Sequence, residues 1–101
     1  MAVDKIIART DPFINATVIP NNTNLNNLET PGVYYISSAS SAQTLTNCPA
    51  EVAFTMLVMK KAESVGNQII FAVGIGSGNI FARTKTTNGW QAWSKANLTA
   101  V

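Results

Sequence analysis

The chain has 101 residues, 47% of them apolar and only 12% charged, with a formal net charge of +2. That apolar share excludes intrinsic disorder, and the length sets one domain with one small core. The basic residues are scattered apart from Lys60-Lys61, so the electrostatic stripe that nucleic-acid binding needs is absent from the sequence.

Asn and Thr, eleven of each, take over the surface role that charges usually fill. Such uncharged polar surfaces accompany β-rich extracellular or virion-type proteins. The single cysteine, Cys48, has no partner for an intramolecular disulfide and no metal-ligand spacing around it, and reads as a small semi-buried apolar residue. Residues 1–10 carry Asp4, Lys5 and Arg9 and lack the apolar stretch of a signal peptide. No apolar run approaches the ~20 residues of a membrane span. The expectation is synthesis in a cytoplasm without an export address, with no membrane insertion. The Asn15, Asn21 and Asn97 glycosylation sequons are then chance matches.

In chain order, residues 1–20 hold short apolar pairs (Ile6-Ile7, Phe13-Ile14, Val18-Ile19) broken by polar residues and Pro12. We read residues 1–23 as an attachment arm, with an edge strand of the sheet as the alternative, and residues 24–101 as the domain proper. Leu25 and Leu28, spaced i, i+3 after Thr23 and Asn24, predict one capped helical turn at residues 24–28. Thr30-Pro31-Gly32 breaks the chain, and Val33-Tyr34-Tyr35-Ile36 is a strand by propensity. Residues 37–50 read as a polar surface loop pinned by Leu45 and Cys48. Residues 53–59 and 68–73 are strands apolar on both faces, the first of them central. Gly74 to Asn79 turns the chain back. Strands at this spacing predict an all-β fold, a small antiparallel meander or sandwich-like knob with one short helical turn.

The last segment is the most informative. Asn88-Gly89 predicts a type I′ hairpin turn, because both residues tolerate positive φ. Thr87 then faces Trp90, and Thr84 faces Trp93. By strand alternation, Phe81, Arg83, Lys85 and Trp90 share one face and Ile80, Ala82, Thr84 and Trp93 the other. The two tryptophans are expected to point in opposite directions, with Trp93 in the core and Trp90 on the more exposed face.

With no histidine, the commonest general base and the commonest metal ligand are missing. The acids Asp4, Asp11, Glu29, Glu51 and Glu63 show no paired arrangement. Gly74-Ile75-Gly76-Ser77-Gly78 resembles a phosphate loop only superficially, because a strand follows it where a helix is required. The sequence therefore reads as non-enzymatic, without cofactor or metal. The signal that remains is aromatic and polar. Trp90, Arg83, Lys85, Tyr35 and Asn88, with Tyr34, Trp93 and Gln91 nearby in the pattern, are candidate sugar-contacting residues: sugars stack C–H faces on aromatic rings and pair hydroxyls with amides and guanidinium groups. Core filling is the competing role for any one of these rings.

Three pieces in order, Leu25-Asn26-Asn27-Leu28 with Thr30-Pro31-Gly32-Val33-Tyr34-Tyr35-Ile36, the apolar strand 54–59, and Ile80-Phe81-Ala82-Arg83-Thr84 with Gly89-Trp90-Gln91-Ala92-Trp93, resemble the pyocin-knob domain of bacteriophage and R-type pyocin tail fibres. The match runs over residues 24–95. The resemblance implies a small antiparallel domain on a trimeric fibre that presents surface to a bacterial envelope glycan, or serves as a structural bead. Knobs of this family usually sit within long fibre chains, whereas this chain is nearly a bare knob, which suggests a short head or tail fibre or a decoration. The expectations are a non-enzymatic virion component, a homotrimer attached to other virion proteins through residues 1–23, and a bacterial surface polysaccharide as ligand. A purely structural decoration or assembly protein is the alternative, and a module accessory to a separate depolymerase is a third.

Overall fold

The computed structural model describes residues 15–72, 78–99 and 101. Seven strands form one sheet: β1 (Thr17–Val18), β2 (Gly32–Ile36), β3 (Phe54–Ala62), β4 (Val65–Ala72), β5 (Asn79–Thr86), β6 (Gly89–Trp90) and β7 (Ser94–Asn97). Their order is β1-β2-β3-β4-β5-β6, and β7 also pairs with β5. Every pairing is antiparallel except β1 with β2. The all-β meander expected from strand spacing is what forms, and β3 is central as its two apolar faces suggested.

A 3₁₀ turn at Leu25–Asn27 supplies the anticipated helical turn. The Asn24 side chain caps it by accepting from the Asn26 amide. One further helical turn, α1 (Ala39–Ala42), lies within the segment read as a plain loop. Four residues are too few to show a helical period, and what marks it is local: the Ser38 hydroxyl accepts from the Ser41 amide.

The core lies on one face of the sheet. Two cross-strand rows floor it, Met56–Ile70–Phe81 and Val58–Gln68–Arg83. Ile19, Leu25, Ala42, Leu45 and Ala50 cover it from the segments before β2 and after it, and Cys48 packs at its margin. The second layer is therefore loop and turn, tied down by backbone bonds such as Leu25 N–H to Thr46 O and Thr46 N–H to Thr23 O. Before the Leu25 turn, Thr17–Val18 pairs with the edge of β2 and Ile19 is buried in this layer. The rest of the arm, and most of the 74–79 turn, fall outside the described residues.

The β5–β6 connection differs from expectation. Thr86 pairs with Gly89 and Lys85 with Trp90, so the turn is centred on Thr87-Asn88. Within this hairpin Gly89 takes the positive φ, at 108°, after the turn rather than inside it. The turn shift preserves parity, so Trp90 keeps the face of Lys85, Arg83 and Phe81. That face is the core side, and Ile80 and Ala82 face outward. The expectation that placed the core on the Ile80–Ala82 side is overturned.

Gly66, buried in β4 opposite Lys60 and Lys85, leaves no space for a side chain: a Cβ there would clash with the Met59 carbonyl. Gly66→Ala is expected to destabilise the fold by about 1–3 kcal/mol, because backbone rather than a flexible side chain must move. The midpoint of urea unfolding followed by tryptophan fluorescence measures this.

Candidate functional site

Between β6 and β7 the chain leaves the ladder at Gln91–Trp93 and re-pairs with Ser94 opposite Ala82. Lys85 opposite Trp90 implies Ala82 opposite Trp93 for an unbroken strand, so the interruption inserts one residue. A one-residue slip moves every later side chain to the other face. Trp93 is thus delivered to the Arg83 side, against the expectation that it would oppose Trp90.

The result is a guanidinium between two indoles. Arg83 Cζ lies 4.2 Å from the Trp90 ring centroid and 4.5 Å from that of Trp93. Arg83 is 7% exposed. Its Nε donates to Gln68 Oε1 at 2.8 Å and its Nη1 to Asn26 Oδ1 at 2.9 Å. Gln68, fully buried, donates in turn through Nε2 to the carbonyls of Leu25 and Leu28 at 2.7 and 2.9 Å. Each indole also holds a loop: Trp90 Nε1 donates to Asn26 O and Trp93 Nε1 to Asn47 O. Burial pushes the Arg83 guanidinium down to about 10, opposed by the nearby Cys48, so it stays cationic through neutral pH. The Cys48 thiol is pushed up by its own burial and donates to Ala50 O.

Of the five candidate sugar contacts, the structure brings Trp90, Arg83 and Lys85 together. Lys85 Nζ is 5.9 Å from the Trp90 centroid and pairs with Glu29 Oε1 at 2.8 Å. A narrow recess of about 10 Å³, room for one water, opens beside them, walled by Glu29, Trp90, Met59 and Glu63. Asn88 is exposed at the hairpin tip, its amide bonded to Thr86 Oγ1. Tyr35 is elsewhere, on the outer face of the sheet in register with Thr55. Tyr34 points to the core side, where its hydroxyl donates to Thr30 O. Gln91 is exposed beside the hairpin, with Nε2 3.5 Å from Thr86 Oγ1.

Sequence reading missed Gln68, Asn26 and Glu29. Gln68 carried a usable signal, a polar residue at an inward position two and four before Ile70 and Ala72. Asn26 and Glu29 carried none, since their partners are more than fifty residues away.

Among the described residues no three or more of His, Cys, Asp and Glu converge as metal ligands, and no helix is long and apolar enough to cross a membrane. No protein-family model matches the sequence, and no curated protein is similar to it. Solved structures do match. The Pseudomonas aeruginosa R1 pyocin fibre superposes with a TM-score of 0.69 at 22% identity, over 78% of this chain. The P. aeruginosa R2 pyocin fibre gives 0.70 at 23% identity over 78%, and an N-truncated R2-type pyocin tail fibre 0.69 at 22% over 82%. This chain shares its fold with part of the pyocin tail fibre. It spans only 20%, 21% and 32% of the R1, R2 and N-truncated R2-type fibre chains, respectively.

Removing Arg83 leaves Gln68 Oε1 and Asn26 Oδ1 without their donor and both indoles without their cation. Arg83→Ala is expected to cost about 2–4 kcal/mol of stability. Arg83→Lys should recover only part of it, since an ammonium cannot reproduce the fork to two acceptors and stacks less well between rings. Chemical denaturation of the two variants checks both statements.

Proposed function

We propose that this protein is a non-enzymatic virion component, a knob displayed on a short fibre or decoration that contacts the glycan of a bacterial surface. The observation that supports it is the fold shared with pyocin tail fibres over about four fifths of the chain. In this reading three copies assemble, and residues 1–23 attach the knob to other proteins of the particle.

The rim formed by Lys85, Glu29 and the edge of Trp90, with Asn88 exposed at the tip of the same hairpin, is where a sugar would sit. Arg83 acts from beneath, holding the Trp90 ring in place rather than reaching the ligand, because it is buried. Tyr35 does not belong to this rim. A charged lysine, a carboxylate and a tip amide offer both donors and acceptors to hydroxyls, and a half-buried indole edge offers apolar contact.

A second reading, a purely structural module without ligand, is favoured by a specific feature. The Arg–Trp–Trp signature already clamps the protein's own loops through Asn26, Gln68 and Asn47, so its presence does not require a ligand. Binding of the purified protein to an array of bacterial surface polysaccharides separates the two. The glycan reading expects binding that falls about fivefold to tenfold in Lys85→Ala or Asn88→Ala with unfolding unchanged, the loss of one charge-assisted or amide contact. Absence of binding to every polysaccharide, together with particles that lose stability without the protein, would favour the structural reading.

A further inference from the structure

An antiparallel sheet with one face on its core normally turns polar side chains outward on the other. This sheet does so chiefly at its Asn67–Thr84 end. Its outer face carries the row Tyr35–Thr55–Phe71–Ile80–Ala96 and, beside it, Val33–Leu57–Ile69–Ala82–Ser94. No charged residue stands in either row. Tyr35, Phe71 and Met59 remain 37%, 36% and 40% exposed, and Val18, in register with Tyr35, is 50% exposed.

We propose that this outer face is a self-association surface, covered by the same face of neighbouring copies of this chain packed around a closed symmetry axis. Three features select another copy as the occupant. First, the size suffices. Five strands at ~4.8 Å spacing and about 20 Å of strand length give roughly 500 Å² of outline per copy, so two faces together reach the ~1,000 Å² that a specific interface requires.

Second, the face carries both halves of an interlocking contact. The small Thr55 between Tyr35 and Phe71 leaves a depression, also lined by Ala53, while the rings beside it project. Copies related by symmetry can place one's projection in the other's hollow. Third, nothing electrostatic opposes the contact. Burying this face strands no charge, and a net charge of +2 on 101 residues gives little repulsion between copies. A partner recognised by charge would have nothing to pair with here.

The homotrimer of the proposed function would close through this face. It does not depend on the Trp90 rim, which lies on the opposite face, so the glycan experiment and the one below fail separately. Sedimentation equilibrium of the full chain across micromolar concentrations is the test. The wild type is expected at a closed multiple of the 10.8 kDa chain mass. Phe71→Lys and Tyr35→Lys, each at an already exposed position, are expected to return the mass to a single chain while the tryptophan emission of the Arg83 cluster stays unchanged. If Phe71→Lys disturbs that emission, Tyr35→Lys and the wild-type concentration series decide. A wild type that is monomeric throughout, an oligomer that survives in the folded lysine variants, or a monomer that instead coats lipid vesicles or another protein through this face would overturn the proposal.

Discussion

Arg83 stands between Trp90 and Trp93, and the fold is arranged so that this cation is never alone. A buried guanidinium without partners would cost several kcal/mol and would favour leaving the interior. Here two π faces take its flanks, and Gln68 and Asn26 take two edges of its fork. Because Gln68 also grips the carbonyls of the Leu25 turn, the cluster joins the last hairpin to the first turn of the domain. The layer over the sheet has little regular structure of its own, so these side-chain bonds do work that a second sheet or a long helix does elsewhere. Arg83 Nη2 is the one buried side-chain polar atom among the described residues without a protein partner.

This arrangement gives a physical reason for the co-occurrence of two separated motifs. The Leu25-Asn26-Asn27-Leu28 turn supplies acceptors: the Leu25, Asn26 and Leu28 carbonyls and the Asn26 side chain. Arg83 and Trp90 of the last segment donate to Asn26, Gln68 carries the contact to the Leu25 and Leu28 carbonyls, and Trp93 closes beside them on the Asn47 carbonyl. Each is a weak signal alone. Together they are the two sides of one polar contact, and the resemblance to a fibre knob rests on residues whose first role is to hold the knob together.

The two faces of the sheet therefore do different things. The inner face is satisfied within the chain, by apolar packing around Met56 and Ile70 and by the Arg83 network. The outer face is uncharged and only half covered by its own neighbours. Strands 53–59 and 68–73 read as apolar on both faces for that reason. The ligand candidates likewise divide: Trp90, Lys85 and Asn88 belong to the hairpin end on the inner side, whereas Tyr35 belongs to the outer face.

Much of the architecture was legible in the residues themselves. Strand propensity at 33–36, the alternation at 54–58, the Leu25/Leu28 spacing and the Thr-Pro-Gly break each depend on near neighbours, and each element formed there, although residues 60–67, expected as a connection turning at Gly66-Asn67, instead extend β3 to Ala62 and start β4 at Val65. The helical turn at Ala39–Ala42 escaped only because four residues cannot display a period. What the sequence could not determine was which side of the sheet is the core and where Trp93 points. The direction of Trp93 depends on one extra residue between β6 and β7, and the core side on where the segments carrying Ile19, Leu25 and Leu45 dock; the shifted hairpin turn preserves parity and reverses neither. A single residue of register reverses the face of all that follows, and its energy is set by the distant acceptors of Gln68, Asn26 and Asn47, which only the folded chain brings within reach.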